Sequence, residues 1–314
     1  MIIDSDRWGI IYVPKAGARN VQKRWKQIRE YLEFRKVSYD YVQIDGSESV
    51  ESLTRQMIDN GHKTIVIVGG DEALNDAINA IMFTPKELRN QIDLGIVPNG
   101  IGNDFASFWG LDVENYKKSV HWIIERRIKK IDVGLCSYKE NGEEKIRYFL
   151  MALNIGLGAQ AIQLSDKCKR YWGKQNPSYL LAIISLFKER KQYKMRIKVN
   201  NEEINDKIMN ICVGNSRGYG LTPSAIPYNG WLDVTIVYRP KFLQLIKGLY
   251  MLLHSQILNH EQVKPYRTKS VEVIDSQNSL TCLDGKTLNH SFPLNISLEA
   301  GVLNFIIPGK NNIT

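Results

Sequence analysis

Two apolar strands, each running straight into a turn of glycine and aspartate, constrain this chain more than any other feature. Residues 64–71 read Thr-Ile-Val-Ile-Val-Gly-Gly-Asp, and residues 94–105 read Leu-Gly-Ile-Val-Pro-Asn-Gly-Ile-Gly-Asn-Asp-Phe. After each turn apolar residues recur at helical spacing: Leu74, Ala77, Ile78 and Ile81 after the first, Phe105 and Phe108 after the second. Strand, glycine turn and helix in that order place backbone N–H groups and the positive end of a helix at the carboxyl edge of a sheet. That is where α/β proteins hold phosphates. One such turn has a purely steric explanation, because glycine ends strands wherever the backbone bends sharply. Two in tandem, around Gly70 and Gly100, predict a nucleotide-type site.

The surrounding periodicity predicts how the chain is organised. Strands are expected at residues 8–13 and 39–44 beside the two motif strands, with helices at 20–35, 50–59 and 113–127. Alternating strands and helices argue for a parallel doubly wound sheet. After Asp132 strands dominate, at residues 147–154, 194–199, 207–213, 231–238, 270–274, 294–298 and 302–307, interrupted by helices near 179–190 and 241–258. That change predicts a second, mainly β domain, and 314 residues are enough for two cores. The longest apolar run, residues 179–187, is about half of what a membrane span needs. The N-terminus, with Asp4 and Asp6, does not read as an export signal. Cys136, Cys168, Cys212 and Cys282 form no pair of ligand spacing, so reduced, buried thiols in a cytoplasmic protein are expected.

Net charge is +9, concentrated at residues 126–130, 167–170 and 188–198. Such a surface suits an anionic membrane face or phosphorylated ligands, or it is a solvated face without a partner. Nucleic acid is set aside, because no nucleic-acid-binding motif accompanies the charge. The leucine-rich segment 242–258 reads as the wall of an acyl-chain groove, a surface pressed on a bilayer, or a cover for the β domain. His62, His121, His254, His260 and His290 stand in no ligand or base spacing.

These motifs resemble the diacylglycerol kinase and sphingosine kinase-like lipid kinases, the bacterial ones above all. Gly69-Gly70-Asp71 with Leu74-Asn75, and Pro98, Gly100 and Gly102-Asn103-Asp104-Phe105-Ala106, carry the likeness in the first half. Pro14-Lys15-Ala16-Gly17 is similar to the family's opening loop, and Ile131-Asp132-Val133-Gly134 to its domain crossover. Asn154-Ile155-Gly156, Gly214-Asn215, Pro223-Ser224-Ala225, Asn229-Gly230-Trp231-Leu232-Asp233 and Asp284-Gly285 continue it along nearly the whole chain. The resemblance implies a doubly wound Rossmann-like domain at residues 1–132 and a β-sandwich-like domain at 133–300, the fold shared with NAD kinases. Residues 301–314 are implied to return to the first domain. It also implies ATP cradled by Gly69, Gly70, Asp71, Glu72, Ala73, Asn75, Gly100, Ile101, Gly102 and Asn103. Magnesium would be organised by Asp71, Asp104, Asp132 and Asp284, and a lipid hydroxyl would be the acceptor. Helix N-capping is the ordinary alternative for Asp71 and Asp104.

Five positions that bear on the chemistry depart from the family's pattern. The family reads Gly-Gly-Asp-Gly-Thr where this chain has Glu72 and Ala73, which place a carboxylate in the phosphate loop and remove a hydroxyl donor. Ile101 replaces a threonine between two glycines. Lys286 replaces the glutamate that takes the proton of the lipid hydroxyl, and a protonated lysine cannot accept it. Asn229 stands where bacterial relatives carry an acid for a structural magnesium. Three activities are therefore compatible with the chain: a lipid kinase of the diacylglycerol type, a non-catalytic nucleotide or lipid binder on the same scaffold, or a kinase for another acceptor such as NAD. Peripheral contact with the inner face of an anionic membrane is expected, and an exposed edge strand leaves a homodimer open.

Overall fold

The computed structural model describes residues 7–14, 21–100, 102–172, 191–217 and 220–309, with the side chains of 21, 22, 165–172, 242 and 245 set aside. The expected helix near 179–190, the opening loop beyond Pro14, and Ile101 lie outside these residues. Contacts divide the chain into two units: Met1–Ile131 with Gly301–Thr314, and Asp132–Ala300.

The first unit is a parallel sheet covered by helices. Its central strands β1 (Trp8–Tyr12), β3 (Thr64–Gly69) and β4 (Asp93–Pro98) are buried at every position. Burial on both faces is what a sheet with helices on each side imposes. The half-exposed β2 (Tyr39–Gln43) forms the edge, giving the order β2-β1-β3-β4, all parallel. Helices α1 (Val21–Phe34) and α6 (Tyr116–Glu125) place Trp25, Ile28, Leu32, Val120 and Ile123 on Ile10, Tyr12, Val66 and Val68. Helices α2 (Val50–Asp59) and α3 (Asp71–Met82) pack on one another and on β1 and β3. Ser49 caps α2 by accepting from Ser52 N at 3.0 Å. Short helices α4 (Lys86–Arg89) and α5 (Asp104–Phe108) flank β4 in sequence.

The second unit is a β-sandwich. Strands β7 (Ala152–Gly156), β10 (Asn210–Gly214), β11 (Leu232–Val237), β12 (Val263–Thr268), β14 (Thr281–Leu283) and β15 (Lys286–Thr287) form an antiparallel sheet in the order β12-β11-β10-β7-β14-β15. Facing it are β8 (Tyr193–Val199), β9 (Glu202–Ile208), β13 (Ser270–Asp275) and the start of β16 (Ser291–Ile306), with β5 (Ile128–Glu140) and β6 (Glu143–Phe149) beside β16. Leu153, Ile155, Ile211, Val213, Val234 and Ile236 from one sheet meet Met195, Ile197, Val271, Val273, Leu294 and Ile296 from the other. Helix α7 (Leu157–Trp172) follows β7, and α8 (Phe242–Leu253) follows β11. No described helix is long and apolar enough to cross a membrane.

The observed elements differ from the expected ones in instructive places. The strand read at 147–154 is two strands, because the amides of Leu150, Met151 and Ala152 turn aside to the carboxylate of Asp284. The strand read at 207–213 breaks at Met209, where the chain passes from one sheet to the other and Met209 N donates to Val237 O. The strands read at 294–298 and 302–307 are one long strand, β16, which ends at Ile306. In the basic run at 188–198, Lys194, Arg196 and Lys198 are the outward face of β8, Lys191 lies over the Tyr193 ring at 5.3 Å, and Lys198 lies 3.5 Å from Glu272. Arg126 is the left-handed cap of α6 and pairs with Asp93 at 2.8 Å.

Candidate functional site

In the first unit, three strand ends are tied into one platform. Val13 N donates to Val68 O at 2.9 Å, Asn99 N to Gly69 O at 2.8 Å, and Asn99 Nδ2 to Val13 O at 3.3 Å. Because β1 lies between β2 and β3, the strand order reverses at this platform, and such reversals are where open α/β sheets bind ligands. Asn99 was not singled out in the sequence, although an asparagine directly after a buried strand is a signal worth reading.

Gly70 and Gly100 lie backbone to backbone. A Cβ on Gly70 would meet Gly102 O at 2.7 Å and Gly100 Cα at 2.9 Å; one on Gly100 would meet Gly70 Cα at 2.4 Å. Both positions therefore require glycine for the turns to touch. Asp71 fixes the junction: its N donates to Gly102 O at 3.2 Å, while its carboxylate accepts from Asp104 N at 2.7 Å and Phe105 N at 3.1 Å. It thus caps α5, not its own helix. Asn103 closes the second turn on itself, accepting from Gly100 N at 3.0 Å and donating to Gly100 O at 2.9 Å.

The remaining first-unit residues divide by exposure. Ala73 and Asn75 are buried on the inner side of α3, with Asn79 Nδ2 donating to Asn75 O at 2.9 Å. Glu72 is exposed on the first turn of the same helix, which no side chain caps. The platform thus offers what a phosphate uses, backbone N–H groups and a helix N-terminus, next to two acidic side chains, Asp71 and Glu72. Beneath it Tyr12 stacks on Trp25, ring centroids 5.0 Å apart, and burial raises its phenol above the ordinary value.

In the second unit, Asp284 and Gly285 make the two-residue turn between β14 and β15. Both have positive φ, 44° and 91°, as a type I′ hairpin turn requires. The Asp284 carboxylate is 3% exposed and accepts from Leu150 N at 2.6 Å, Met151 N at 3.0 Å and Ala152 N at 2.9 Å. Asp132 serves a neighbouring loop: its Oδ2 accepts from Gly230 N at 2.7 Å, and its N donates to Pro227 O at 2.7 Å. Asn215, a motif residue to which the sequence assigned no role, joins the two arrangements. Its Nδ2 donates to Asp132 O and Leu150 O, both at 2.9 Å. Asn229 spends its side-chain oxygen on Trp231 N at 3.0 Å, and Lys286 sits half-buried in β15 opposite Leu283. A cavity of about 340 Å³ is lined by Ser224 and Asp233 of the second-unit motifs together with Thr222, Tyr266 and Arg267. Arg267 Nε is paired with Asp233 at 2.9 Å.

The donor set does not fit a protein-built magnesium cage. Among the described residues no three histidine, cysteine, aspartate or glutamate side chains form a metal-ligating group, and Asp71, Asp132 and Asp284 all hold backbone amides. Magnesium is commonly held by one or two carboxylates together with substrate phosphates. For the nucleotide the backbone of the two turns fits, and the side chain of Glu72 opposes.

A doubly wound unit with tandem glycine turns, joined to a β-sandwich, defines the fold class of the diacylglycerol kinases and NAD kinases. The chain belongs to the diacylglycerol kinase-like lipid kinase family: residues 7–136 match the diacylglycerol kinase catalytic domain, and residues 152–307 the YegS C-terminal NAD kinase beta sandwich-like domain. It is 26% identical over 245 residues to the diacylglycerol kinase of Mycobacterium tuberculosis, covering 74% of each chain. It is 23% identical over 291 residues to that of Bacillus subtilis, covering 88% of each. A crystal structure of a diacylglycerol kinase from Bacillus anthracis superposes with a TM-score of 0.68 at 17% identity, over 96% of this chain and 97% of that one. Yeast NADH kinase, solved with NADH, superposes with a TM-score of 0.54 at 8% identity over 98% and 85%, a likeness of fold alone.

Proposed function

We propose that this member of the lipid kinase family binds ATP at its paired glycine turns and phosphorylates a lipid hydroxyl of the diacylglycerol type. The observation that supports this reading is the mutual contact of Gly70 and Gly100 beside the uncapped start of α3. In this reading the backbone N–H groups of Glu72 and Ala73, in the first turn of α3, bind phosphate oxygens, Asn103 keeps the second turn closed, and Asp71 holds α5 in place. Asp132 and Asp284 hold the second-unit loops that carry Gly230 and Leu150.

A second reading, binding without transfer, is favoured by two side chains. Lys286 occupies the position where the resemblance places a proton acceptor, and Glu72 brings a like charge to a phosphate. Between unit charges about 4 Å apart that repulsion is roughly 1 kcal/mol in water and more near a protein surface.

Calorimetry with ATP, followed by transfer of its terminal phosphate to diacylglycerol in mixed micelles, tests both readings. Native binding with transfer supports the kinase. Native binding without transfer, and transfer gained on Lys286→Glu, supports the second reading. Glu72→Gly is expected to tighten ATP binding by about tenfold. Absence of binding in native protein and in Glu72→Gly/Ala73→Thr alike overturns both.

A further inference from the structure

Helix α8 packs on the second unit through one face and leaves the other uncovered. Met251 is buried on the inner face, and Gly248 brings the helix against the His260 ring, whose Nε2 lies 2.9 Å from Gln244 O. Outward stand Leu243, Ile246, Tyr250 and Leu253, exposed to 78%, 58%, 59% and 61%. Their spacing of three, four and three residues puts them in one stripe along the helix. Beside the stripe lie Lys247 and His254, with the Tyr250 and His254 rings stacked at 4.1 Å.

Charge identifies what covers this stripe. Residues 234–260 contain no aspartate or glutamate, and Arg239, Lys241 and Lys247 are all exposed; Lys247 also pairs at 3.3 Å with Glu261, the acid that follows this stretch. A helix with an apolar stripe, a tyrosine at its edge and cations alongside is built to lie in the interface of an anionic bilayer, apolar face inward. A second copy of the chain fits less well. Four side chains on one helix fall short of the about 800 Å² that each partner gives to a stable interface. A two-fold pairing of this face would also bring its cations close to their own copies. We propose that α8 is a membrane-docking element that holds the protein on anionic lipid through Leu243, Ile246, Tyr250 and Leu253. This surface is independent of the nucleotide reading.

Co-sedimentation with vesicles tests it, without nucleotide. Neutral phosphatidylcholine vesicles are compared with vesicles carrying roughly a third phosphatidylglycerol. Native protein is expected to pellet with the anionic vesicles and to be released by high salt. Leu243→Ser/Ile246→Ser/Leu253→Ser is expected to weaken that partition by about tenfold or more. These side chains are mostly solvent-exposed, so thermal unfolding should show the variant still folded. Lys241→Glu/Lys247→Glu should reduce binding to anionic vesicles alone. Equal partition of native and triple-serine protein overturns the proposal. So does a native dimer in light scattering that the triple variant converts to monomer, which would assign the stripe to a second copy.

Discussion

Asp284 shows how a residue can be legible in kind and not in use. The sequence singled it out as a site aspartate. It could not show that the carboxylate is consumed by amides 132 to 134 residues earlier in the chain. Each such bond to a charged acceptor contributes about 1.5–3 kcal/mol, and buried N–H groups left without a partner add a further penalty. Asp284→Ala is therefore expected to destabilise the protein by roughly 3 kcal/mol or more, read by urea unfolding, with Asp284→Asn intermediate. Unchanged stability in both would show that water replaces the carboxylate. His290 makes a pH prediction on the same hairpin side. Its Nε2 lies 2.7 Å from Thr281 Oγ1, its ring meets Phe292, and burial lowers its pKa below the ordinary 6.5. With the folded value below the unfolded one, its contribution is complete above pH 6.5 and is lost as pH falls through the folded value. Native protein should lose melting temperature as pH drops from about 7 to 5, and His290→Gln should flatten that slope.

At the scale of elements, what was legible follows from periodicity. Buried strands such as β3 and β4 announce themselves as unbroken apolar runs, and α2 by its capped amphipathic pattern. β9 was missed because Glu-Glu-Ile-Asn-Asp-Lys-Ile has few apolar positions; it is a strand because it pairs along its full length with β8. α7 was missed because Gly158 interrupts its apolar pattern near the start, where its N–H is drawn to Asn210 Oδ1 at 2.7 Å. The glycine turns were legible as a phosphate site, but not the contact between them, which joins residues thirty positions apart in sequence. That contact gives a prediction at this scale. Gly70→Ala must push the second turn away, at a cost of about 1–3 kcal/mol of overpacking. ATP binding should fall further than the stability loss explains, because the platform itself is deformed. Gly110→Ala is a fair control, since a Cβ there meets nothing within 4 Å; its positive φ of 75° leaves only local strain. If the two variants bind ATP equally, close approach of the turns is not what builds the site.

For the whole molecule, the informative fact is that chain order and folding unit disagree. The first unit draws in the residues from Gly301 onward after the second unit has been completed. Within the first unit the end of β16 adds a parallel strand beside β4, pairing Asn304 with Asp93 and Phe305 with Leu94. Phe305 is fully buried, its ring 5.2 Å from Phe105 and 6.0 Å from Trp109, and Ile307 N donates to Arg127 O at 2.9 Å. Strand and ring together close one side of the sheet that carries both glycine turns, and Phe105 follows the second turn directly. A chain ending at Ala300 should therefore keep the second unit's sandwich and lose order in the first, although residues 1–131 remain present. Hydrogen exchange reads this directly. Amides of 64–69 and 93–98 should lose protection, while those of 210–214 and 232–237 retain it. Phe305→Ala in the full chain is the milder version, expected to cost about 3–5 kcal/mol for a buried aromatic. Its ATP affinity should fall only where the first unit is partly unfolded, so added stabilising osmolyte should restore it. Full protection of 64–69 in the chain ending at Ala300 would mean that the first 131 residues fold without the returning strand, and that the strand serves only to tether the terminus.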